Sequence, residues 1–302
     1  MSIKTEMNNW LPVFDDDSLN QTLKDDGIVK IKLDGFDTDA AKNFLKNTVD
    51  GYPEQFNAPF YGSYNEHRLE IKKKVHSGLS NFLDPFINSL LADHRTLCYF
   101  FIVKGNGGNS RVNLHQDWSI VDELKHRAYT LWIPLVDSTI DNGTLHVLKG
   151  SHLFPLNIRG GAILPKFEFA NEADAKALNF LSPITVKAGE ALIFDSRILH
   201  YSPSNQSALP RTSIISNITP TQAESFCFTQ EETDGKQDVY RYTVPHDFYM
   251  LYDDLIRDKD VPNALGTNRI KIDYANIEQL NFDEFKRLTK EYLRPKKKWF
   301  FF

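Results

Sequence analysis

The chain has 302 residues, 41% hydrophobic and 25% charged, enough to bury a sizeable core without a disulfide or metal staple. A formal net charge of −5 and an isoelectric point near 6.0 exclude a general nucleic-acid binder, which needs a basic face against phosphate. Two distant cysteines, Cys98 and Cys227, with no C-x-x-C, exclude a disulfide framework and a zinc knuckle and point to a reducing compartment.

The N-terminal stretch lacks the basic-then-apolar pattern of a secretory leader, and DSLNQTLKDDG (17–27) reads as a short helix ending near Gly27. IVKIKL (28–33) alternates at period two and reads as a strand. DTDAAKNFLKNTVD (37–50) opens with an Asp cap before helix formers, and RLEIKKKVHSGLSNFLDPFINSLLAD (68–93) has apolar residues at helical spacing despite Pro85. From residue 95 short β segments take over: 96–104, 111–119, 128–137, 143–150, 184–189, 190–196, 199–203, 211–220, 225–232 and 236–244. Turn signals at Asp141-Asn142-Gly143, Ala188-Gly189 and Asp234-Gly235 separate them. Helix is expected again over 247–259 and 281–293. The longest apolar run, 97–103, is far too short to span a bilayer, so a cytoplasmic protein is expected. The terminal RPKKKWFFF reads as an aromatic tuft closing over a core.

No repeat or linker divides the chain. One domain over 1–302 is therefore expected: mostly helical support in 1–94, a β core in 95–244, and a helical segment in 245–302. Strands in succession, with no β-α-β alternation, predict a mainly β fold of jelly-roll type with flanking helices.

Within VNLHQDWSIVDE (112–123), His115 and Asp117 are two positions apart, so on a strand they share a face while Gln116 points the other way. His200 closes a second apolar strand, and Arg211 opens the next with Ser213 on its own face. Were those strands an antiparallel pair, Arg211 could project into the barrel near His200. A planar cation inside an apolar barrel needs a carboxylate, and none is evident nearby in sequence; a dicarboxylate ligand would serve. Two His and one carboxylate leave three positions of an octahedral iron(II) open: two for a 2-oxo acid, with its far carboxylate on Arg211, and one for dioxygen.

HQDW (115–118), LWIPLVDSTIDNGTLHVLKGSH (131–152) and LHYSPSNQSALPR (199–211) together resemble the phytanoyl-CoA dioxygenase family of iron(II)/2-oxoglutarate oxygenases. The resemblance covers roughly residues 95 to 220 and implies a double-stranded β-helix, cupin-like, with iron(II) on His115, Asp117 and His200 and 2-oxoglutarate anchored by Arg211. It also implies that Trp132 lies along the co-substrate, assisted by Ser202 or Ser213. The activity implied consumes O2 and hydroxylates an unactivated C–H bond of a small-molecule or carrier-bound substrate, with succinate and CO2 as co-products. A carboxylate at Asp117 favours hydroxylation, desaturation or ring closure over halogenation. Lys149 departs from the proline usual before Gly-Ser-His, at a turn that threatens no ligand.

Other readings stay open from the residues themselves. A metal-binding jelly-roll sensor or cupin-like isomerase would use the same ligands without Arg211, and a zinc hydrolase could use His115, Asp117 and His146. His146 and His152 otherwise read as structural, Asp195 as a turn cap, Tyr99 and Phe101 as core, and Lys104 as a solvated strand end. No basic cluster for CoA phosphates is evident, which favours a smaller substrate.

Overall fold

The structure is a computed structural model and describes residues 10–50, 59–106, 109–155, 158–160, 176–233, 236–250, 269–272 and 282–293, without the side chains of 230–237. The expected turn at 234–235, most of the expected helix over 247–259 and the terminal RPKKKWFFF lie outside the described residues.

Helix α1 (Asp17–Asp26) starts where the Asp16 carboxylate accepts from the Ser18 and Leu19 amides and stops at Gly27, whose φ of 76° closes the C-terminus in the left-handed region. Helix α2 (Thr38–Thr48) is capped the same way by Asp37. Helix α3 (Leu69–Ile87) buries Val75, Leu79, Leu83 and Ile87 along one stripe and carries Pro85 two residues before its end. Helix α4 (Phe282–Tyr292) buries Phe285 and Leu288.

Fourteen strands are described among these residues. Strands β1 (Ile28–Lys32), β2 (Phe60–Gly62), β3 (His94–Thr96), β4 (Phe100–Lys104), β6 (Tyr129–Pro134), β9 (Glu190–Asp195) and β11 (Arg211–Pro220) form a seven-stranded sheet. Its order is β1-β9-β6-β11-β4-β2, with β3 also on β11. Strands β5 (Val112–His115), β7 (His146–Leu148), β8 (Ser182–Pro183) and β10 (Leu199–Ser202) form a second sheet in the order β5-β10-β7-β8. Every pairing is antiparallel, and the two sheets make the jelly-roll core. A third sheet joins β12 (Ser225–Thr233), β13 (Lys236–Val244) and β14 (Arg269–Lys271). Burial of the outer face of the large sheet against α2 and α3 forms the main core, including Leu45, Leu79, Tyr99, Phe101, Leu131, Ile133, Ile193 and Ile214.

The region before 95 holds the expected strand β1 and also the short β2, and these end the large sheet at either edge. Two expectations are corrected here. The expected strand over 184–189 is reduced to an isolated bridge between Ser138 and Val186, since Lys187 to Gly189 turns the chain, with φ of 87° at Gly189. Strands β10 and β11 are not a hairpin: β10 pairs with β5 and β7, β11 with β3, β4 and β6, so the 203–210 segment crosses between sheets. Arg211 therefore approaches His200 from the opposite wall.

No helix among the described residues is long and apolar enough to cross a membrane.

Candidate functional site

A cavity of about 480 Å³ opens between the two sheets, with His115, Asp117, His200, Ser202, Trp132 and Arg211 all on its wall. His115 ends β5 and lies directly opposite His200 of β10 in the antiparallel register. Their rings are 4.2 Å apart between centroids. The His115 Nδ1 is 2.7 Å from the Asn113 carbonyl and the His200 Nδ1 is 3.0 Å from the Ile198 carbonyl. A carbonyl can only accept, so each Nδ1 carries the proton and each Nε2 keeps its lone pair. Both Nε2 atoms point at one carboxylate oxygen, Asp117 Oδ1, at 3.5 Å from His115 and 3.7 Å from His200.

Asp117 is not on a strand, contrary to the expected run over 111–119. Strand β5 stops at His115, and a loop brings the carboxylate to the same side. The loop is pinned by the Asp117 amide donating to the Ser196 carbonyl at 2.8 Å, by the Thr130 hydroxyl donating to Asp117 Oδ2, and by Arg159 Nε donating to the Asp117 carbonyl at 2.7 Å. Gln116 does turn the other way, donating to the Arg197 carbonyl. The ligand atoms of His115, Asp117 and His200 all lie within 4.8 Å of one another, and no other cluster of this kind occurs among the described residues. Such a set could hold a divalent metal on one face and leave the other open.

Electrostatics favour that use. Burial, with the His115 charge adding to it, lowers His200 to about 4, so its imidazole is neutral at pH 7. Burial pushes the Asp117 carboxyl up, but the two imidazoles and the Thr130 hydroxyl together outweigh it and hold it well below the usual carboxylate range. The side chain of His200 is 6% exposed and that of His115 35%, so the group is reached from the His115 side.

Across the cavity Arg211 is 1% exposed. Its Nη1 donates to Ser138 Oγ at 3.1 Å and to the Gly143 carbonyl at 2.8 Å, its Nε has no partner, and its guanidinium lies 5.2 Å from the Trp132 ring. No salt bridge to Arg211 occurs among the described residues, and burial alone pulls the guanidinium down to about 9. Ser202 donates to the Gly143 carbonyl at 2.6 Å, while the Ser213 hydroxyl is buried with no partner. Gly143 is required here: its φ is 74°, and a Cβ would stand 2.4 Å from the Pro203 carbonyl oxygen.

The other candidates fall elsewhere. His146 is on β7 beside Tyr201, whose ring centroid is 4.7 Å away, on the face of the small sheet opposite His200; it does not join His115 and Asp117. His152 Nε2 meets the Lys24 carbonyl at 3.1 Å. Asp195 caps its turn by accepting from the Arg197 amide at 2.8 Å and faces Arg127 at 3.4 Å. Lys149 reaches Asp26 at 2.8 Å in place of the turn proline. Tyr99 and Phe101 fill the main core, and the alternate residues Phe100 and Ile102 line the cavity instead. Lys104, expected at a solvated end, is fully buried: it pairs with Arg211 in register and donates to the Ser110, Ser202 and Pro203 carbonyls at 2.5, 3.3 and 2.7 Å. Thr130, Gly143, Lys104, Glu123 and Arg159 were not singled out from the sequence as parts of the site. Thr130 alone left a signal, a polar residue two positions from Trp132 in an apolar strand.

Among solved structures the fold is similar to EvdO2 from Micromonospora carbonacea var. aurantiaca, with a TM-score of 0.45, 16% identity, 70% of this chain and 94% of that one covered. It is also similar to the non-heme alpha ketoglutarate dependent carbocyclase SnoK from nogalamycin biosynthesis, with a TM-score of 0.47, 16% identity and coverage of 72% and 90%. A third is EctD from S. alaskensis, solved with 2-oxoglutarate and 5-hydroxyectoine, with a TM-score of 0.46, 18% identity and coverage of 73% and 80%. The phytanoyl-CoA dioxygenase domain-containing protein 1 homolog of Dictyostelium discoideum is 27% identical over 115 residues, which is 35% of this chain and 40% of that relative. The match thus spans less than half the length of the curated relative. The family model described as phytanoyl-CoA dioxygenase matches residues 52–213, which hold His115, Asp117, His200 and Arg211, and the chain belongs to that family.

Proposed function

We propose that the protein is an iron(II)- and 2-oxoglutarate-dependent dioxygenase that hydroxylates an unactivated C–H bond of a small-molecule or carrier-bound substrate, releasing succinate and CO2. The observation that carries this reading is Arg211, a buried guanidinium with no carboxylate partner among the described residues, set across one cavity from two imidazoles and a carboxylate. A keto-diacid is the ligand class that answers both ends at once. Its distal carboxylate would pair with the Arg211 guanidinium, and its 2-oxo acid end would be left for the metal that His115, Asp117 and His200 would hold.

The donor set fits iron(II): two imidazole nitrogens with free lone pairs and one hard carboxylate oxygen. His115, Asp117 and His200 would hold the metal, which with 2-oxoglutarate and dioxygen supplies the oxidising chemistry. The chain's own residues do the rest. The Asn113 and Ile198 carbonyls keep the Nδ1 protons in place and so fix both rings. Thr130 and Arg159 hold the Asp117 loop, and Trp132 walls the guanidinium from the apolar interior. A carboxylate at 117 would take the position that a halide needs, which favours hydroxylation, desaturation or ring closure over halogenation. A sensor or cupin-like isomerase has no use for an unpaired guanidinium in the cavity, and a zinc site through His146 lacks the geometry.

The experiment is to follow 2-oxoglutarate and succinate in air with added iron(II), for the wild type and Arg211→Ala. Slow conversion without a substrate, matched one to one and lost in the variant, is expected. Absence of succinate from the wild type across a broad substrate panel contradicts the proposal.

A further inference from the structure

We infer that the cavity takes, beside its co-substrate, a neutral ring-bearing molecule, stacked against Trp118 and Tyr249 and oriented by the side-chain amide of Asn217. This rests on the reading above and extends it to the class of substrate.

Charge on the described cavity wall is confined to four residues. Among the described lining residues, the ionised or metal-ligating groups are His115, Asp117, His200 and Arg211, all committed to the site already described. The remaining wall includes Phe60, Phe100, Ile102 and Ile120. A phosphate or carboxylate placed there would lose its hydration and gain no counter-charge, at a cost of several kcal/mol. A neutral apolar body would instead gain from every contact.

The aromatic pair says what shape of body. Trp118 follows Asp117 in the chain, lines the cavity and is 38% exposed, an unusual position for a large aromatic side chain. Its ring lies 6.3 Å from that of Tyr249 at 45°. The Tyr249 hydroxyl already donates to the Phe226 carbonyl, so the residue offers its ring. Two tilted aromatic faces beside the metal ligands suit a flat ring by stacking and edge contact.

Asn217 supplies the orientation. Arg211, Ser213, Ile215 and Asn217 share one face of β11 by alternation, and Asn217 lies roughly 20 Å along the strand from Arg211, at ~3.3 Å per residue. Its half-buried amide makes no hydrogen bond to a described residue. An amide can donate and accept, so it matches a hydroxyl or carbonyl on an uncharged ring.

The test uses the full chain loaded with Mn(II) and 2-oxoglutarate, and measures binding of 2-naphthol, naphthalene and octanoyl-CoA by equilibrium dialysis. The inference expects saturable 2-naphthol binding, weakened about tenfold by Asn217→Leu, while naphthalene, which lacks the hydroxyl, changes less than about twofold. Trp118→Ala should weaken both about tenfold or more. Asn217→Ala, which also removes the amide, replaces the leucine variant if that one does not fold. Octanoyl-CoA binding tighter than 2-naphthol, no 2-naphthol binding, or indifference to both substitutions would each overturn it. Naphthol binding as stated to a protein that fails to bind 2-oxoglutarate sinks the proposed activity and leaves this site standing; the reverse result sinks the substrate class alone.

Discussion

His115 and His200 face each other across an antiparallel pair, each with its Nδ1 proton on the carbonyl two residues back along the chain. The register therefore sets the spacing of the two Nε2 atoms, and the local carbonyls set the tautomers. Removing one imidazole leaves two ligands for the metal. His200→Ala is expected to lower Mn(II) affinity at least about 100-fold, since even the loss of a ligand's outer partner costs up to that much. Metal titration checks this, and an unchanged affinity would place the metal elsewhere.

Acid should loosen the metal-free fold. His200 has a pKa of about 4 in the native protein, against about 6.5 in the unfolded chain. Between these values the unfolded state holds the proton and the native state does not, so stability is fully present above about pH 6.5 and falls as pH drops towards 4. His152, also lowered by burial, acts in the same direction. The unfolding midpoint should decline across this window, and His200→Gln should flatten part of the decline. Identical profiles for the two proteins contradict the assignment.

Gly143 links backbone conformation to the guanidinium. Its carbonyl accepts from Arg211 and Ser202, its φ is 74°, and a Cβ would meet the Pro203 carbonyl oxygen at 2.4 Å. Gly143→Ala should cost about 1–3 kcal/mol of stability and weaken 2-oxoglutarate binding by moving the seat of Arg211. Denaturant melts and co-substrate titration read the two effects separately.

The Asp117 loop hangs on a buried ion pair. Arg159 Nη1 donates to Glu123 Oε2 at 3.0 Å, Nη2 donates to Oε1, and Nε holds the Asp117 carbonyl. Glu123→Gln removes the carboxylate charge of this buried pair, at a cost of about 3–5 kcal/mol. Mn(II) affinity should also fall, about tenfold, because the carboxylate ligand loses its anchor. Full retention of both would show that the loop is held by Ser196 and Thr130 alone.

The alternation of 28–33 makes β1 legible residue by residue, and the Asp caps and Gly27 mark α1 and α2. The three ligands and Arg211 could be picked out because their chemistry is unusual in an apolar setting. What hid was non-local. Phe60–Gly62 is too short to announce itself as an edge strand. The crossing of 203–210 between sheets has the same local composition as a hairpin turn. Lys104 looks like any polar strand end until the nearby Ser110 carbonyl and two from the distant 202–203 segment close over it. Arg159 lies 42 residues from the carbonyl it holds, and only the folded chain brings them together.

The most direct measurement is the affinity of Mn(II)-loaded protein for 2-oxoglutarate and for 2-oxobutyrate, which lacks the distal carboxylate, in the wild type and in Arg211→Met. The account predicts a loss of about 100-fold for 2-oxoglutarate in the variant, with 2-oxobutyrate binding equally weakly to both proteins. Equal 2-oxoglutarate affinity in the two proteins would contradict it.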